Sequence, residues 1–151
     1  MHSLLATFVL AALLAAVTAI DVRTQRIPDP LNALIVACGL AASWVLGKPL
    51  IDAIIGAVLG YAMLYAANWA YRAARGRDGL GLGDAKLLAG AGAWLGWMFL
   101  PFVVVIASGL GLAFVAAMRI AGRPLAPQQS LAFGPFLSVG IFVVWLVQNY
   151  A

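Results

Sequence analysis

The chain of 151 residues carries five carboxylates, Asp21, Asp29, Asp52, Asp78 and Asp84, and no glutamate. Two of them stand where long apolar runs meet polar sequence. Asp21 ends the first run, and Asp84 opens the fourth behind Gly79-Leu80-Gly81-Leu82-Gly83. An acidic residue at a helix C-terminus opposes the helix dipole, so helix stability does not explain Asp21. It is either an interfacial charge balanced by Arg23 or Arg26, or a functional group, which is the default reading for an ionisable residue at membrane depth. If the first and fourth helices are neighbours, the two carboxyls converge. Such a pair cannot readily ionise twice, so one member keeps a proton near neutral pH. The result is a base that activates water beside an acid that polarises a carbonyl, enough to hydrolyse a peptide. Glycines ahead of Asp84 let the backbone bend and another chain come close. Taken alone, Asp84 also fits a plain helix N-cap.

Other hydrolytic chemistries lack their parts. His2 is the only histidine and Cys38 the only cysteine. Ser-His and Cys-His catalysis therefore have no base. A conventional zinc site and an intramolecular disulfide have too few ligands or thiols. No cofactor or metal is expected. Asp29, before Pro30, and Asp52 read as helix caps. Asp78 reads as a loose surface partner of the basic stretch Arg72–Arg77.

The elements that must position the pair are membrane helices. Hydrophobic residues make up 65% of the chain and charged residues only 9%, against about 25% charged in soluble domains. Residues 1–151 are expected to form one polytopic membrane domain, all α. The net charge of +4 is read as topology, since no basic stripe or zinc pattern points to nucleic acid. The first twenty residues resemble a signal peptide but have no basic residue before Arg23, so they are read as a retained helix.

Apolar runs at about 4–20, 31–47, 50–71, 85–99, 100–118 and 131–149 predict six transmembrane helices, five of them fitting or nearly fitting the ~20 residues a bilayer needs. The fourth, at about 15 residues, reaches only ~22 Å, which sets Asp84 below the membrane surface. Pro101 is expected to break the fourth run from the fifth. Eight of the nine basic residues fall in or beside the odd-numbered loops, and Lys48 stands alone in the second. The odd loops should therefore be cytoplasmic and both termini non-cytoplasmic. Trp44, Trp94, Trp97 and Trp145 near outer ends, and Trp69 near an inner end, suggest an aromatic belt. Gly56-xxx-Gly60 and Gly92-xxx-Gly96 suggest close helix packing. The polar, proline-containing stretch Arg119–Ser130 reads as a mobile loop.

Three stretches carry a family resemblance. Asp21-Val22-Arg23-Thr24-Gln25-Arg26-Ile27-Pro28 resembles the first-aspartate motif of the type IV prepilin peptidases and archaeal preflagellin peptidases. Gly81-Leu82-Gly83-Asp84-Ala85-Lys86-Leu87-Leu88, with Gly92-Ala93-Trp94-Leu95-Gly96 after it, resembles their GxGD motif and following helix. Ala132-Phe133-Gly134-Pro135-Phe136-Leu137 resembles the segment that opens their last helix. The matches come in family order and span nearly the whole chain.

That resemblance implies a six-helix GxGD aspartyl protease of the bacterial inner membrane. Its substrates would be type IV prepilins, pseudopilins or Flp-type prepilins, cut on the cytoplasmic side, with lipid around it and its oligomeric state open. Asp21 and Asp84 carry over as the catalytic pair. Gly81, Gly83, Lys86, Phe133, Gly134 and Pro135 carry over as the substrate-binding loop or its structural support. Bifunctional members also carry an N-terminal cytoplasmic region with paired cysteines and N-methylate the mature pilin. This chain begins at its first helix, so the resemblance is to the short peptidase-only members and methyltransferase activity is not expected. Two other readings stay open on the residues alone: a small channel or transporter using the paired aspartates, and a non-catalytic membrane scaffold.

Overall fold

A computed structural model describes residues 2–76, 81–122 and 131–150. Those residues form six α-helices: α1 (His2–Thr24), α2 (Asp29–Val45), α3 (Leu50–Arg75), α4 (Leu82–Leu95), α5 (Leu100–Ile120) and α6 (Gly134–Tyr150). A 3-10 turn, Trp97–Phe99, leads into α5. The pairing expected of Asp78 and most of the loop expected to be mobile lie outside the described residues.

α4 is the hub. It packs on α3, α2, α6 and α5, while α1 leans on α6 and α2, and α5 on α6. From Asp84 to Leu95 only Lys86 and Ala89 escape full burial. Small residues make this possible by letting backbones approach closely. A Cβ on Gly56 of α3 would collide with the Gly92 carbonyl of α4, and one on Gly60 with the Leu88 carbonyl. On the opposite flank, a Cβ on Gly39 of α2 would stand 2.7 Å from the Trp94 ring. The outward faces remain apolar, with Phe8, Val58, Phe102, Val105, Leu112 and Ile120 all exposed. Among the described residues, three helical stretches are long and apolar enough to cross a membrane: His2–Thr24, Leu50–Arg75 and Trp97–Ile120. α2 and α6 are apolar but have 17 residues each. α4, with 14 residues, is about 21 Å long. The chain is a multi-pass membrane protein.

Several sequence expectations shift. The break after α4 is at Gly96, whose φ of +84° is strained for any residue with a side chain. Pro101 lies inside the first turn of α5, where its missing N–H costs nothing. Gly96 therefore turns the chain; a Cβ there would meet only the Asp52 Cβ of α3, at 3.9 Å, and not the backbone that crowds Gly92. Asp29 and Asp52 are not N-caps. Pro28 and Pro49 occupy those positions, and neither helix start shows a side-chain cap bond. Both aspartates sit in the first turn instead, still on the favourable side of the dipole. Trp44, Trp69 and Trp97 are exposed, as a belt requires, but Trp94 and Trp145 are fully buried. Those two meet edge to face, centroids 5.4 Å apart, and form core.

Candidate active site

α1 ends in a way that turns the chain sharply after Asp21. Gln25 adopts a left-handed φ of 51°, and its amide donates to the Asp21 carbonyl at 2.8 Å, the pattern of an αL C-cap. The chain then runs through Arg26, buried Ile27 and Pro28 into α2. Ile27 lands against the turn that carries the second aspartate: a Cβ on Gly83 would lie 3.3 Å from the Ile27 Cβ. The first motif is thus folded onto the second.

Asp84 is the third residue of α4, and Gly81 is its N-cap. The Asp84 amide donates to the Gly81 carbonyl at 3.1 Å, and the Gly81 amide donates back to the Asp84 carboxylate. This is the carboxylate half of a capping box, reached from N3 and not from the N-cap. Gly81 itself has φ −70°, open to any residue. The glycines here serve room more than unusual backbone geometry.

Asp21 is held from a third direction. The Gly134 amide, at the start of α6, donates to Asp21 Oδ2 at 3.0 Å. A helix N-terminus offers free N–H groups and the positive end of a dipole, so a carboxylate sits well there. A Cβ on Gly134 would stand 2.5 Å from that same oxygen, which is why the position is glycine. Pro135 follows in the first turn, where proline is tolerated.

Asp21 is 4% and Asp84 9% exposed, yet both line one cavity of about 490 Å³ and are close enough to interact electrostatically. Gln25, Arg26, Ile27, Gly81, Gly83 and Phe133 share its wall. Of the sequence-predicted residues, Asp21, Asp84, Gly81, Gly83 and Phe133 come together there. Gly134 acts behind the wall through its amide, with Pro135 beside it. Lys86 goes elsewhere: it forms an ion pair with Asp29 on the α2 side of α4. Sequence reasoning missed Gln25, Arg26 and Ile27 as cavity wall, although they lie inside the first motif. Its nearest signal was the run of polar residues between two apolar helices.

The sequence profile of the type IV leader peptidase family matches residues 8–116. The chain belongs to that family. The matched span contains both aspartates and stops short of Phe133–Pro135. Curated relatives extend the alignment. A prepilin leader peptidase/N-methyltransferase of Burkholderia pseudomallei is 43% identical over 137 residues, covering 90% of this chain and 44% of the relative. One from Dickeya chrysanthemi is 44% identical over 141 residues, covering 91% and 48%. One from Escherichia coli is 38% identical over 139 residues, covering 91% and 61%. The chain spans about half the length of the first two relatives. No solved structure gives a significant match.

Proposed function

We propose that the protein is an aspartyl endopeptidase that removes the leader of a type IV prepilin, pseudopilin or Flp-type prepilin. The observation that carries this reading is the placement of Asp21 and Asp84, buried at the ends of apolar helices, on the wall of one cavity. Membership of the leader peptidase family and the names of its relatives support the substrate class. In this mechanism the extended leader meets the Gly81–Gly83 turn, and a water sits between the carboxyls. The ionised member takes the water's proton as the carbonyl is attacked, and the protonated member donates to the oxyanion. Titration belongs to the pair and not to either residue.

The finer reading places the enzyme in the bacterial inner membrane with six crossings, lipid around it, and the cavity at the cytoplasmic face. Supporting it, Arg23, Arg26, Arg72, Arg75 and Arg119 stand in or just beyond the last turns of α1, α3 and α5, and Lys48 between α2 and α3, the asymmetry that the positive-inside rule reads as cytoplasmic. Labelling with an impermeant thiol reagent tests it. In a Cys38→Ala background, a cysteine at position 48 should react from outside intact cells and one at position 75 should not; the reverse pattern inverts the orientation.

The dyad is tested by leader removal from a purified prepilin in detergent or lipid. Asp21→Asn and Asp84→Asn keep an acceptor for the Gly134 and Gly81 amides but cannot exchange the proton. Each should lower cleavage by at least ~10²-fold, and the double variant should be little worse than either. Near wild-type cleavage by either single variant rules the aspartyl mechanism out.

A further inference from the structure

We propose that Asn32 is a positioning residue for this pair: from α2, its carboxamide fixes where the first turn of α4, and so Asp84, stands relative to Asp21. The proposal rests on the reading of the two aspartates as a dyad.

Asn32 is 3% exposed. Its Nδ2 donates to the Gly83 carbonyl at 3.4 Å, and its Oδ1 is buried with no hydrogen-bond partner. A half-satisfied amide in an apolar setting carries a desolvation cost that leucine, nearly the same size, would not. Backbone satisfaction does not offset that cost. The Gly83 carbonyl belongs to the first turn of α4, where the amide four residues on, that of Leu87, is its intrahelical partner. Without Asn32 that oxygen would still be bonded.

What the side chain adds is a sideways tie. It runs from the helix that follows the Asp21 loop to the residue that precedes Asp84. Two other ties cross the same gap. Ile27 against Gly83 sets how close the segments come, but a van der Waals contact has little directional preference. The Lys86–Asp29 pair is directional but exposed, its side chains 35% and 73% accessible, and such pairs contribute little. Asn32 alone among the three is both buried and directional. Farther along, the buried bonds from Trp94 Nε1 to Ile35 O and from Ser43 Oγ to Ala93 O hold the body of α4 on α2; Asn32 holds its first turn, whose displacement would carry the Asp84 carboxyl away from Asp21. Misplacement of a catalytic group by about 1 Å is enough to cost ~10²-fold.

The test compares Asn32→Leu and Asn32→Ala with wild type. Cleavage kinetics and thermal melting are measured on each purified protein. Asn32→Leu should melt no lower than wild type, while kcat falls ~10-fold or more and KM stays within ~2-fold. Its pH–rate profile, which reports the pair as a unit, should narrow. An activity-independent readout follows the geometry: in a Cys38→Ala background, cysteines at positions 21 and 84 should form a disulfide more slowly once Asn32→Leu is added. Wild-type kcat with an unchanged profile in both variants overturns the proposal. Melting far below wild type in both, with the remaining folded enzyme fully active, makes the amide structural and also overturns it. If Asp84→Asn still cleaves, the dyad reading itself fails. An unchanged cross-linking rate then removes the positional role as well.

Discussion

The two ends of α4 face the same physical problem and solve it differently. A 14-residue helix packed among longer ones has free N–H groups at one end and free carbonyls at the other. At the C-terminal end neutral side chains close the account. Ser43 Oγ donates to the Ala93 carbonyl at 3.1 Å, and Gln148 Nε2 donates to the Leu95 carbonyl at 3.1 Å. Trp94 Nε1 donates to Ile35 O at 2.9 Å and Trp145 Nε1 to Thr7 Oγ1 at 2.8 Å. Lys48 donates to Gln148 Oε1 and lies 4.6 Å from the Trp145 ring centroid, a cation beside the negative end of the dipole. At the N-terminal end two carboxylates stand instead, each taking one backbone amide and keeping oxygen lone pairs for the cavity. Polar groups that satisfy one another build stability; polar groups left with spare capacity build a site.

Substitutions at the two ends should therefore separate activity from stability. The largest effect is expected at Gly134. Gly134→Ala drives a methyl into Asp21 Oδ2, moving the carboxyl or the start of α6. Cleavage should fall ~10²-fold while the melting point moves by only a few degrees. Equal activity in wild type and variant would show that the Gly134 amide does not set the carboxyl's position. The opposite split is expected at Trp145. Trp145→Ala empties a buried ring site and should cost about 3–5 kcal/mol in a denaturant titration, with kcat per folded molecule unchanged. A kcat loss matching the loss at Gly134 would mean the two ends are coupled through α4. Smallest of the three is Gln148→Leu, which leaves the Leu95 carbonyl without its donor and should cost ~1 kcal/mol, again without a change in kcat.

The candidate site was legible in the sequence to the extent that its members are chemically rare. Asp21 and Asp84 stood out because carboxylates at the ends of apolar runs have few ordinary uses, and the glycine pattern marked the turn before Asp84. The role of Gly134 was hidden. A glycine ahead of a proline at a helix start looks local, and only tertiary structure shows a carboxylate from another helix occupying the space of its missing side chain. Asn32 was hidden for a related reason: one polar residue near a helix start gives no hint of which neighbour it faces. Among the helices, hydropathy located the runs but not their facing. Trp94 and Trp145 lie near run ends, as belt residues do, and nothing along the chain says that they point inward. The α4 boundary was misplaced because Pro101 is the louder breaker, although proline is at home in a first helical turn and Gly96 needs its positive φ. The caps assigned to Asp29 and Asp52 failed because a proline one or three residues earlier already occupied the position.

The bond from Gly134 to Asp21 spans 113 residues of chain, and that separation has a consequence for biogenesis. Helices enter a membrane in the order in which the ribosome delivers them. Asp21 is synthesised well before the amide that holds it, which arrives only with α6. Until then the nascent protein carries a carboxylate at the membrane edge without its partner and has no assembled cavity. On the proposed function, the site would stay incomplete until α6 is in place, because one of its two carboxylates would lack the amide that holds it.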